Sequence, residues 1–121
     1  MTTFADAHAM PPQRIWDGIV SRAVQGEQAT LALLEFAPDA IVPEHSHANE
    51  QLGMVVSGAM TFRIGDETRE IGPGATYVIP SNVPHEATAG PDGAVVIDVF
   101  APPRADWNAL EPGEPRPPRW P

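Results

Sequence analysis

The chain has 121 residues, the length of one average domain, and its 42% hydrophobic content is enough for a single packed core. Sixteen acidic side chains against seven basic ones give a formal charge of -9, which excludes nucleic acid as a partner, and no run approaches the roughly 20 apolar residues that span a bilayer. All seven basic residues are Arg and there is no Cys, so Schiff-base lysines, P-loop lysines, thiolate nucleophiles, disulfides and Cys-ligated metals are excluded as well.

Residues 1–13 are small and polar around Pro11-Pro12 and are expected to form a flexible leader. They hold no early Arg and no apolar segment of the kind a secretory signal needs, so a cytoplasmic protein is expected. Residues 14–101 break into the short runs IWDGIVSRAV, QATLALLEF, EQLGMVVS, AMTFRIG, TREI, ATYVIP and AVVIDVF, rich in β-branched and aromatic side chains. Gly26, Pro38-Asp39, Ser57-Gly58, Gly65-Asp66, Gly72-Pro73-Gly74 and Pro91-Asp92-Gly93 punctuate them as turn signals. This spacing predicts an antiparallel sandwich or small barrel, with a two-residue hairpin at Gly65-Asp66. The tail, residues 102–121, holds seven prolines and is expected to form neither a ladder nor a helix. Trp107 and Leu110 can dock its first part, with one helical turn at ADWNAL. Past Glu111, extended chain is expected on the barrel or on a partner subunit, with Trp120 covered.

Two features carry chemistry. His45 and His47 stand at i and i+2, so a strand would project both imidazoles from one face about 7 Å apart, although the same pair in a loop is simply solvated. Asp98 is the one charge in the run AVVIDVF. Apolar neighbours on both of its faces favour the barrel interior, where an acid needs a partner or a task; the alternative is a solvated edge-strand Asp.

The histidines belong to a longer pattern. His45, His47 and Gln51, with Gly58 after six intervening residues, and then Gly74, five residues, Pro80 and His85, resemble the two motifs of the cupin superfamily. The resemblance implies an all-β, single-domain cupin, a double-stranded β-helix or jelly-roll barrel. It also implies one divalent metal per chain (Ni, Zn, Fe, Mn or Cu) on His45, His47, Gln51 and His85. Three departures stand out: Gln51 replaces the family's Glu, Asn82 its second-motif Gly, and Ala89 its Asn. A Gln oxygen is a neutral ligand, which leaves the ion its full charge and favours Lewis-acid chemistry over iron-dependent oxygenation. Alternatively Gln51 only hydrogen-bonds in the barrel, and Glu50 or water completes the site.

The stretch Asp98-Val99-Phe100-Ala101-Pro102-Pro103-Arg104, taken with HSHANEQLGMVVSG, is similar to the KdgF group of small cupins, which convert unsaturated uronates to linear keto acids. That likeness implies Asp98 as acid/base, Arg104 as a catalytic carboxylate binder, and Phe100 and Met54 as pocket residues, with Met54 standing where a Tyr is common. The partner would be a small acidic sugar derivative. Arg104 can equally serve a salt bridge to Asp106. A non-catalytic sugar-acid or metal sensor, a polyketide cyclase and an Fe-dependent dioxygenase are the alternatives. Leu52, Met54 and Val56 lie on the strand face opposite Gln51 and need cover, from the N-terminal strand or from a second subunit; cupins usually supply it by forming a homodimer.

Overall fold

Eight strands and two 3-10 turns follow one another along residues 3–119, the part of the chain that the computed structural model describes. The expectation for Trp120 lies outside these residues. The strands are β1 (Gln13–Trp16), β2 (Ile19–Gln25), β3 (Thr30–Phe36), β4 (Ile41–His45), β5 (Glu50–Ile64), β6 (Glu67–Ile71), β7 (Thr76–Ile79) and β8 (His85–Ala101). They pair antiparallel in the order β1-β2-β3-β8-β5-β6, with β4 on β8 and β7 on β5. This is a jelly-roll barrel, the architecture that the resemblance implies.

The two long strands close the barrel. The first half of β8 pairs with β4 and with the end of β5, and its second half pairs with β3 and with the start of β5. Each therefore bends along its length, and bulges interrupt their shared ladder between Val55 and Ser57 and between Gly58 and Met60. Glycines make the corner. Gly58 and Gly93 both hold positive φ (78° and 76°), and a Cβ at Gly58 would lie 2.1 Å from the Gly93 carbonyl oxygen. Ser57-Gly58 and Pro91-Asp92-Gly93 are thus bends within continuous strands and not strand ends. The run IWDGIVSRAV, in contrast, is split by Asp17-Gly18 into β1 and β2, and Pro43-Glu44-His45 belongs to β4. The hairpin at Gly65-Asp66 joins β5 to β6 as expected.

Strand alternation sorts the side chains. Ala32, Leu34 and Phe36 of β3, Val55 of β5, Ile79 of β7 and Val96 and Phe100 of β8 fill the interior. Burying each large one contributes about 1.5–3 kcal/mol. The outer face of the same strands is also apolar. Val24, Leu31, Val99, Leu52 and Val78 stand opposite one another in a single row across β2, β3, β8, β5 and β7, and all but Val99 rank among the exposed large hydrophobic residues.

The tail lies on the barrel. A 3-10 turn, Ala105–Ala109, buries Trp107, and Pro112 then forms a bridge with Gln13. A complete absence of ladder pairing was expected here. The bridge is compatible with proline because the neighbouring Gly113 N–H donates to the Pro12 carbonyl at 2.6 Å. Farther on, Arg116 (2.8 Å) and Arg119 (3.1 Å) pair with Glu35, which also pairs with Arg22. Arg22 Nε in turn donates to the Met10 carbonyl at 3.1 Å, tying the leader to the same cluster.

Burial alone would push the Glu35 carboxyl up, but the Arg116 and Arg119 hydrogen bonds and the Arg116 and Arg22 charges outweigh it and hold the pKa below its ordinary 4.5. A depressed folded-state pKa stabilises the fold above the unfolded value, and that stability is lost as pH falls through the folded one. Glu35→Gln should therefore lower stability at pH 7 by about 3–5 kcal/mol, because it strands the buried Arg22. Melting curves of both proteins should converge as pH drops below 4.5; a gap that stays constant would remove this cluster from the account.

Candidate metal centre

His45 ends β4, His47 follows it in the loop to β5, and His85 opens β8. β4 and β8 pair His45 directly with His85, which brings the two motifs together. One ligand atom from each of the three lies within 4.8 Å of the others. Their orientation follows from the backbone. His45 Nδ1 bonds the Pro43 carbonyl (2.8 Å), His47 Nδ1 the Asn49 carbonyl (2.9 Å) and His85 Nδ1 the Val83 carbonyl (2.9 Å). A carbonyl can only accept, so each Nδ1 carries the proton and each Nε2 keeps its lone pair. The loop that bears His47 is itself fixed: Asn82 N–H donates to the His47 carbonyl at 2.8 Å and Ser81 Oγ to the Ala48 carbonyl at 2.7 Å.

The electrostatics favour neutral imidazoles, the form that binds metal. Burial pushes His85 down to about 4, with the neighbouring imidazoles and Arg104 adding to it against the Val83 bond. Burial likewise lowers His47. His85 Nε2 is buried with no hydrogen-bond partner among the described residues, as a ligand atom awaiting an ion would be. Gln51, 7% exposed and facing inward, puts Oε1 3.2 Å from His47 Nε2, whereas Glu50 is exposed. The donor set of three imidazole nitrogens and one amide oxygen fits a divalent transition ion.

Asp98 stands on β8 inside the barrel, 2% exposed, and shares one small cavity of about 40 Å³ with His45, Gln51, His85, Phe100 and Arg104. Burial pushes the Asp98 carboxyl up to about 6, against hydrogen bonds from Tyr77 and Gln51 and the charge of Arg104. Arg104 makes the expected salt bridge to Asp106 and also stands in the cavity wall. It lines the cavity, stacked on the rings of Phe100 (4.9 Å) and Trp107 (4.5 Å), while Nε and Nη2 grip Asp106 at 3.0 and 2.9 Å. Nη1 takes no part in that grip. His8 pairs with Asp6 on the surface of the leader.

Met54 is not part of the site. It lies on the outer face, 39% exposed, since strand alternation from Gln51 turns it away from the cavity. Five aromatic residues of the cavity wall were not foreseen: Trp16, whose ring centre lies 5.0 Å from that of His45, Phe36, Phe62, Tyr77 and Trp107. Tyr77 shares a face with buried Ile79 in TYVI, and that alternation was its one signal.

Comparison with known proteins agrees with this fold. The family model described as cupin domain matches residues 32–100. An H2HPP isomerase of Bacillus subtilis is 36% identical over 87 residues, covering 69% of this chain and 37% of that protein. The pectin degradation protein KdgF of Dickeya dadantii is 29% identical over 99 residues, covering 80% of this chain and 90% of that protein. The chain thus spans little more than a third of the first relative and nearly all of the second. Among solved structures, KdgF from a Halomonas species superposes with a TM-score of 0.81 at 29% identity, covering 88% of this chain and 98% of that one.

Proposed function

This chain belongs to the cupin-domain family, and we propose that it is a metal-dependent isomerase that converts a 4,5-unsaturated uronate, or a closely related cyclic enol acid, to its linear keto form. The observation that carries the reading is a buried carboxyl, Asp98, in one cavity with converging imidazoles and an arginine. The KdgF relatives, one of them named for pectin degradation, and the isomerase relative support it.

In such a substrate the ring oxygen is part of an enol ether beside a carboxylate. Breaking the hemiacetal C–O bond as its hydroxyl loses a proton gives an aldehyde and an enolate, and a proton added to C4 then yields the 2-keto acid. No atoms are gained or lost overall. His45, His47, Gln51 and His85 would hold the metal, which when bound supplies Lewis-acid stabilisation of negative charge on oxygen. Asp98, held near neutrality by burial, takes the hydroxyl proton and returns one to carbon. Arg104 presents Nη1 to the substrate carboxylate while Asp106 and the two flanking rings keep its plane fixed. Phe100 and Trp107 exclude water from the cavity.

Metal-loaded protein incubated with 4,5-unsaturated galacturonate in D2O should speed the appearance of the open-chain keto acid with deuterium at C4. Product formed only at the uncatalysed rate would contradict the reading.

The functional unit of this reading is a homodimer formed through the outer apolar row. Light scattering at micromolar concentration should give twice the 13.0 kDa chain mass, and Leu31→Asp combined with Leu52→Asp should halve it. A wild-type protein that scatters as a single chain would refute the dimer.

A further inference from the structure

Tyr77 on β7, Gly53 on β5 and Asp98 on β8 stand in one row: Gly53 is opposite Tyr77 across one ladder and opposite Asp98 across the other. Neighbouring strands lie about 4.8 Å apart, so residues two strands away do not ordinarily touch through short side chains. Tyr77 nevertheless donates its hydroxyl to Asp98 Oδ1 at 2.6 Å. It does so by passing over Gly53, where a Cβ would lie 2.2 Å from both Asp98 Oδ1 and Tyr77 Cζ. Any other residue at position 53 would push the pair apart. The Tyr77 ring is packed against Phe62 at 4.6 Å between centres, which leaves the hydroxyl little freedom to swing away. On the far side of Asp98 the row continues with Ala32, whose methyl group offers no hydrogen bond.

We infer that Tyr77 is a positioning residue of this site: reaching across the gap at Gly53, its hydroxyl holds Oδ1 and so fixes the rotation of the Asp98 carboxyl toward the cavity. Its effect on turnover rests on the isomerase reading above; its effect on geometry does not. A donor held in place beforehand is worth most where a proton must pass at a defined angle, because no reorganisation is then needed during the reaction.

Tyr77→Phe retains the ring and removes only the hydroxyl. In metal-loaded enzyme acting on 4,5-unsaturated galacturonate it should lower kcat about 10- to 100-fold, the usual worth of one hydrogen bond to a carboxylate, at unchanged KM and metal content. Added to Asp98→Asn it should cost nothing further, since a residue acting through Asp98 has nothing left to act on. Unchanged kcat in Tyr77→Phe, or a loss that adds in full to that of Asp98→Asn, would overturn the inference. Should the wild-type protein convert no uronate, the isomerase reading fails and crystal structures decide the positioning role: an Asp98 carboxyl that has rotated in Tyr77→Phe supports it, and one that has not moved overturns it.

Discussion

Replacing Asp98 by Asn is expected to leave the barrel folded and its metal bound while turnover of an unsaturated uronate falls by about 10²- to 10⁴-fold, the usual cost of losing a general acid/base. An amide has nearly the shape of the carboxyl, so the packing around the 2%-exposed side chain survives and its oxygen can still accept from Tyr77. It cannot exchange the proton that carbon must receive. The variant also removes an acid that burial holds at about 6, so its melting temperature should not drop. Initial rates, metal analysis and a melting curve on one preparation test all three statements. Full activity would take Asp98 out of the chemistry.

The histidine substitutions act earlier, on the centre itself. His47→Ala removes one of the three converging nitrogens. Elemental analysis of protein purified without added metal is expected to show near-stoichiometric metal in the wild type and almost none in this variant. Activity should fall to the uncatalysed rate and return only with the histidine. The barrel should persist, because His47 lies in a loop whose backbone is held separately by Asn82 N–H and Ser81 Oγ. Metal retained by a protein lacking both His45 and His47 would sink the assignment.

The parts of this site that the sequence made legible are those fixed by spacing along one strand or loop. His45, His47, Gln51 and His85 could be picked out because the two motifs keep their distances, and Asp98 because one charge interrupts an apolar strand. The strand boundaries were less legible. Gly58 and Gly93 allow bends within continuous strands, but Gly beside Ser or Asp reads as a turn when taken alone. β4, which contains Pro43, was not among the expected runs. Met54 could have been excluded from the pocket, since alternation from Gln51 already turns it outward. Contacts between distant segments left no local trace. The carboxyl of Glu35 meets arginines 81 and 84 positions later, and Tyr77 reaches Asp98 only because a residue on a third strand has no side chain.

The most direct test of the central claim follows the ultraviolet absorbance of 4,5-unsaturated galacturonate, whose conjugated double bond disappears on conversion to the keto acid. Protein with its metal should abolish the absorbance rapidly, chelator-treated protein should leave only the slow uncatalysed decay, and restored metal should restore the rate. Absorbance that persists while the sugar acid binds tightly would contradict the claim and make the protein a sensor of the ligand it was expected to convert.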